Sequence, residues 1–116
     1  MAMPGHLGHI VGCAGTEAFT RALAAELGVK NIRVVCVRSH AIADAVQAGS
    51  YVGAIFAAKA QEMGITVEQF LGGGAQSTLT HHLPTLAQVA DTITFLASDA
   101  ASAITGTTVN MTAGAT

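Results

Sequence analysis

Apolar positions between residues 16 and 27 recur at helical spacing. Phe19, Leu23 and Leu27 stand at i, i+4 and i+8, with Ala22 on the same stripe. This predicts a helix that begins between His9 and Thr16 and ends at Leu27. Glu17 and Arg21 stand four apart in the order that favours an ion pair. Gly28 follows as a stop, because a helix end often takes a left-handed residue. The period then changes. In "NIRVVCVRS" the residues Ile32, Val34, Val35, Cys36 and Val37 run almost unbroken, with Arg33 the interruption. Such a run predicts a strand over 32–37 covered on both faces, as in a parallel sheet. Helix, tight link and buried strand are the order of an α/β layered fold.

Beyond the strand the pattern is weaker. "YVGAIFAAKAQEMG" predicts a helix ending at Gly64, and "TVEQFL" a short helix capped by Thr66. Gly72, Gly73 and Gly74 come after a helix and not after a strand, so they predict a flexible hinge. A phosphate cradle needs the strand–glycine–helix order instead. Thr85 opens a capping box with Gln88, and Pro84 stands just before it. Leu86, Val89, Ala90, Ile93, Phe95 and Leu96 give the next helix a broad apolar face through Ala97. Ser98 and Asp99 cap a further turn. A last strand over 107–111 is entered through a turn at Gly106. Two parallel strands, joined by a crossover containing helices, give a three-layer α/β arrangement. Its sheet edges are unpaired, which invites association.

Composition sharpens this reading. A length of 116 residues suits one domain. Only 10% of the residues are charged, against about 25% in an ordinary soluble domain. Mean hydropathy is +0.52. Part of the surface is therefore expected to be covered, by another copy or by a further segment. No apolar run reaches the roughly 18 residues that span a bilayer. "MAMPGHLGHI" has no basic residue and no apolar core, so it is not a secretory signal. A cytoplasmic setting without a membrane partner is the expectation. Net charge is −2, Trp is absent and Tyr51 is the sole tyrosine. With no basic patch and no aromatic platform, nucleic acid is not an expected partner. Cys13 and Cys36 have neither metal-ligand spacing nor a dense disulfide pattern. His6 with His9, and His81 with His82, have no carboxylate or cysteine cluster near them. No metal site is expected.

His9 and Cys13 carry the candidate chemistry. Four residues apart, they share one face of a helix. An imidazole can act as a general acid or base near neutral pH, and a thiolate beside an imidazolium can be a nucleophile. Cysteine is also a common packing residue, and Gly12, Ala14 and Gly15 around Cys13 suit close approach. Three readings stay open: a Cys–His nucleophile, His9 as a substitute acid, and a packing surface or worn-out site. The sequence favours the last. Glu68 and Asp91 are read as solvated helix faces.

Two long stretches carry a resemblance. "TEAFTRALAAELGVKNIRVVCVR" is followed downstream by "LPTLAQVADTITFLASDAASAITGTTVNMTAGAT". In this order they resemble the C-terminal half of the short-chain dehydrogenase/reductase family, most strongly over 16–38 and 83–113. The resemblance implies one truncated domain over 1–116, the C-terminal part of a Rossmann-type three-layer fold. It implies NAD or NADP as cofactor, and a carbonyl or alcohol as substrate. The family's helix begins Tyr-x-x-x-Lys: the Tyr is the acid/base, and the Lys tunes it and holds the ribose. Here His9 falls at the Tyr position and Cys13 at the Lys position. After the strand the family has Pro-Gly, then an apolar residue against the nicotinamide, then often Thr. This chain has Ser39, His40, Ala41, Ile42, Ala43 and Asp44, and of these only Ile42 fits. The resemblance makes Ser39, His40 and Ile42 the cofactor-side candidates, in an atypical branch. The family's glycine-rich loop, acidic ribose position and catalytic serine lie upstream of the matched part. Cofactor binding is thus expected to need a further N-terminal dinucleotide-binding segment. Two functions follow. One is a segment of an NAD(P)-dependent oxidoreductase, not catalytically competent as an isolated chain, with residues 43–82 as its substrate-loop region. The other is a non-catalytic oligomerisation or interaction module. Family interfaces on the first helix and the final helix–strand pair imply a homodimer or tetramer.

Overall fold

The computed structural model describes residues 4–115. Helix α1 spans Leu7–Leu27 and runs into a 3-10 turn, Gly28–Lys30. Strand β1 is Val35–Ser39, followed by helices α2 (Val52–Met63), α3 (Val67–Gln76) and α4 (Leu86–Ala97). A second 3-10 turn, Asp99–Ala101, leads to strand β2, Thr107–Met111. The two strands pair in a parallel, two-stranded sheet. At their common start Gly106 N–H donates to the Val34 carbonyl at 2.8 Å, and Val34 N–H donates to Thr105 Oγ1 at 3.0 Å. The described residues form two compact units. One is the chain up to Arg38 with Thr92–Asn110; the other is Ser39–Asp91 with the residues from Met111 onward.

In the first unit α1 starts at Leu7, ahead of the expected range. Its Thr16 and Thr20 hydroxyls donate back to the Gly12 and Thr16 carbonyls at 2.9 and 2.8 Å, which lets these polar residues sit within a helix. Gly28 does not supply the left-handed stop: its φ is −58° and the helix tightens instead of ending. The left-handed residue is Asn31, with φ 57°, a residue type that tolerates this conformation. The strand differs too. It begins at Val35 and not at Ile32, because Val34 N–H is taken by the Thr105 side chain. Nor is it covered on both faces. Val35, Cys36 and Val37 are half-buried, Arg38 and Ser39 are exposed, and Ile32 is 47% exposed. An apolar run of this kind suits an interior strand, but among the described residues β1 has one neighbour. Arg33, which breaks the run, donates to the carbonyls of Leu96 (2.8 Å), Ser98 (3.2 Å) and Ile104 (3.3 Å). It thereby satisfies carbonyls at the end of α4 that have no partner within the helix. Ala24 on α1 is buried, and the left-handed Gly106 lies close to it: a Cβ at Gly106 would stand 3.5 Å from Ala24 Cβ.

In the second unit Phe56 of α2 and Phe70 of α3 pack with ring centroids 5.6 Å apart, and Phe56, Ala60 and Ala45 are buried. Helix α2 ends at left-handed Gly64, φ 68°, as expected. Thr66 and Gln69 form a complete capping box at the head of α3. The hinge expected at Gly72–Gly74 is not there, since all three lie inside α3. The cap and the aromatic contact hold the helix start, and the glycines extend it despite their poor propensity. Thr85 and Gln88 cap α4 reciprocally, as expected. Ser98 does not cap the next turn with its side chain; its hydroxyl donates back to the Phe95 carbonyl at 2.6 Å. Among the described residues no helix is long and apolar enough to cross a membrane.

Candidate functional site

One group of candidate residues lies at the head of α1. Cys13 Sγ stands 3.6 Å from His9 Nε2, and both side chains are exposed. At 100° per residue, His9 and Cys13 share the meridian of Thr20 and Ala24. The latter two are buried. The same face is therefore covered at the end of α1 and bare at its head. Glu17 lies one turn beyond Cys13. Its carboxylate accepts from Arg38 Nε at 2.7 Å and from Arg38 Nη2 at 2.8 Å. This bidentate pair holds the Glu17 carboxyl below the usual carboxylate range. The ion pair expected with Arg21 thus yields to Arg38, which reaches over from the end of β1. Glu17 is committed to that arginine and is not available to orient His9. The pair can move a proton between sulfur and nitrogen, but it contains no phenol and no amine. Tyr51, the sole tyrosine, belongs to the other unit and is 95% exposed.

The other group is the segment after β1. Ser39 is exposed, while His40 and Ile42 are half-buried. Two hydrogen bonds fix the stretch that follows. Ala43 N–H donates to the Pro84 carbonyl at 2.8 Å, and Asp44 Oδ1 accepts from Leu86 N–H at 2.8 Å. Asp44 therefore caps the head of α4 from a distance. Sequence spacing gave no sign of this role, since 42 residues separate the partners. Burial lowers the His40 imidazole below its ordinary value. Its Nε2 is buried without a hydrogen-bond partner. A buried ring nitrogen left unpaired costs free energy.

His9 and Cys13 come together, then, within one unit, and Ser39, His40 and Ile42 belong to the other. Among the described residues no glycine-rich turn links a strand to a helix: Gly72–Gly74 are helical. No group of three or more His, Cys, Asp and Glu side chains converges among them.

Comparison with known proteins bears on family and fold. The sequence model of a protein family described as enoyl-(acyl carrier protein) reductase matches residues 2–116. No curated protein matches the chain. Among solved structures, a short-chain dehydrogenase family protein from Francisella tularensis subsp. tularensis SCHU S4 is similar with a TM-score of 0.85 and 18% identity. The alignment covers 97% of this chain and 45% of that one. Sorbitol-6-phosphate 2-dehydrogenase from Erwinia amylovora is similar with a TM-score of 0.73 and 23% identity, over 88% of this chain and 38% of that one. At these identities the likeness is one of fold. The chain spans less than half the length of either structure.

Proposed function

This chain belongs to the short-chain dehydrogenase/reductase family, and we propose on that footing that it is the nicotinamide- and substrate-side segment of an NAD(P)-dependent oxidoreductase acting on a carbonyl or alcohol. Alone it does not turn over. The observation that carries this reading is the site's composition. His9 and Cys13 stand 3.6 Å apart, at the positions to which the sequence resemblance assigns the family's Tyr and Lys. No phenol is there to move the proton, and no ammonium is there to tune it or hold a ribose. His40, with its unpartnered buried Nε2, and Ile42 would meet the nicotinamide. Residues 43–82, including α2 and α3, would form the substrate-side wall. When bound, the nicotinamide supplies the hydride chemistry. The chain's own part is to shape the pocket and exclude water around it. The pyrophosphate would be held by a further dinucleotide-binding segment, whose backbone N–H groups and helix N-terminus do that work in Rossmann folds. Two free cysteines suit a reducing, cytoplasmic setting.

Titration with NADH and NADPH, followed by nicotinamide fluorescence, tests this. The isolated chain is expected to show no saturable binding at millimolar cofactor. Addition of a family N-terminal half is expected to restore binding that His40→Ala weakens. Saturable binding by the chain alone would overturn the division of labour. A second reading, a non-catalytic assembly module, is favoured by the exposed apolar face of α1, where Val11 and Phe19 are each 62% exposed. It predicts that the added half changes nothing.

A further inference from the structure

We propose that Cys13, with His9 as its proton acceptor, is a covalent modification site for soft α,β-unsaturated carbonyl electrophiles. This goes beyond the oxidoreductase reading and needs neither a cofactor nor a further segment. The starting point is the contact itself. Cys13 Sγ and His9 Nε2 are 3.6 Å apart, a hydrogen-bonding distance for sulfur. In the imidazole tautomer that carries its hydrogen on Nδ1, the thiol donates to the Nε2 lone pair. A thiol is a poor nucleophile until it loses its proton, and an adjacent base takes that proton as the sulfur attacks. The two side chains stand at i and i+4 of one helix, so the backbone holds the donor beside its acceptor.

The surroundings leave the pair open. Both side chains are exposed. A Cβ at Gly8 or Gly12, the residues just before His9 and Cys13, would meet nothing within 4 Å, so a reagent has room to approach. Neighbouring polar groups have other engagements. The Thr16 hydroxyl donates to the Gly12 carbonyl at 2.9 Å. The Glu17 carboxylate, one turn beyond Cys13, is held by Arg38 at 2.7 and 2.8 Å, so its charge is balanced where a thiolate would form. Cys36, half-buried on β1, is the contrast within the same chain.

The pair's chemistry selects the electrophile. The sulfur attacks the β-carbon of the conjugated double bond. A carbon–sulfur bond forms, the π bond breaks, and its electron pair moves to the enolate. The thiol proton passes to Nε2 and from the imidazolium to the α-carbon. The product is a thioether, and the step needs no oxidant or reductant. Such an addition uses a base first and an acid second, and one histidine serves as both near neutral pH. Disulfide exchange would use the base alone. The reaction is stoichiometric, with one adduct per chain.

The test uses the full chain as Cys36→Ser, in which Cys13 is the sole cysteine, treated with methyl vinyl ketone and followed by intact mass. At neutral pH one adduct is expected, formed about tenfold or more faster than in His9→Ala/Cys36→Ser. Well above the ordinary thiol pKa of about 8.5 the two rates should converge, because the thiolate then forms without a base. His9→Gln, which keeps a polar side chain but takes no proton, should match His9→Ala. In the wild-type chain Cys13 should be labelled before Cys36, and circular dichroism should show every variant still helical. Equal rates with and without His9 at neutral pH would overturn the proposal. So would a rate gap that persists at high pH, since His9 would then govern access to the sulfur and not its proton.

Discussion

The guanidinium of Arg33 donates to three backbone carbonyls, two of them at the close of α4 and one before β2. A charge within an apolar run looks like a fault in the strand when only the sequence is read. The structure gives it a purpose, because carbonyls at a helix end need donors and attract cations. Hydrogen bonds to a charged group contribute about 1.5–3 kcal/mol. Arg33→Met should therefore lower the unfolding free energy by about 2 kcal/mol, read from denaturant midpoints at constant m. Arg33→Lys should recover only part, since an ammonium lacks the planar fork. Equal midpoints for Arg33→Met and wild type would show that these bonds carry no net stability. Other residues were only partly legible for the same reason. The His9–Cys13 proximity followed from helical spacing alone. The choice of Arg38 over Arg21 by Glu17, and the grip of Asp44 on Leu86 N–H, depend on contacts between elements that no local pattern encodes.

At the level of elements, reciprocal caps were the strongest signal. The boxes at Thr66–Gln69 and Thr85–Gln88 both place helix starts where the sequence does, because the donors and acceptors involved are three residues apart. Glycine was an uneven signal, since Gly64 ends α2 in the left-handed conformation but two other glycine readings fail. Gly28 does not end α1, and Gly72–Gly74 do not break α3. Its propensity cost is small enough for a capped, docked helix to absorb. That cost remains recoverable. A Cβ at Gly72 or Gly73 meets nothing within 4 Å, and each is held in a helix where alanine is better by about 0.5–1 kcal/mol. The double variant Gly72→Ala/Gly73→Ala should raise the unfolding free energy by about 1.5 kcal/mol, with helicity retained. Thr66→Ala should lower it by about 1 kcal/mol through loss of the cap. A destabilised glycine variant would mean that α3 needs its flexibility in the folded chain, as the hinge reading required.

Over the whole chain, the α/β class was legible from the change of hydrophobic period, whereas the cover over β1 was not. A run such as Val34–Val37 records the environment of an interior strand, yet among the described residues β1 has one neighbour and its apolar side chains are only half-buried. The groove beside it, of about 260 Å³, is lined by Val35, Val37, Ile93, Leu96, Ala97 and the stem of Arg33. On α1, Val11, Gly15 and Phe19 follow one another at i, i+4 and i+8 on a second face. Val11 and Phe19 are exposed there, and a Cβ at Gly15 would meet nothing within 4 Å. None of the described large side chains is fully buried. For a protein with 10% charged residues and two such surfaces, association is the expected way to cover them, because burying apolar area yields about 25 cal/mol per Å². Light scattering coupled to size exclusion should therefore find two or four chains per particle. Phe19→Glu should shift the population toward single chains, since the carboxylate would be buried without a partner. A wild-type chain that is monomeric, soluble and cooperatively folded would refute association, and with it the reading of α1 as an interface. Dimers that persist in Phe19→Glu would move the interface away from α1, toward the exposed Ile93 and Phe95 of α4.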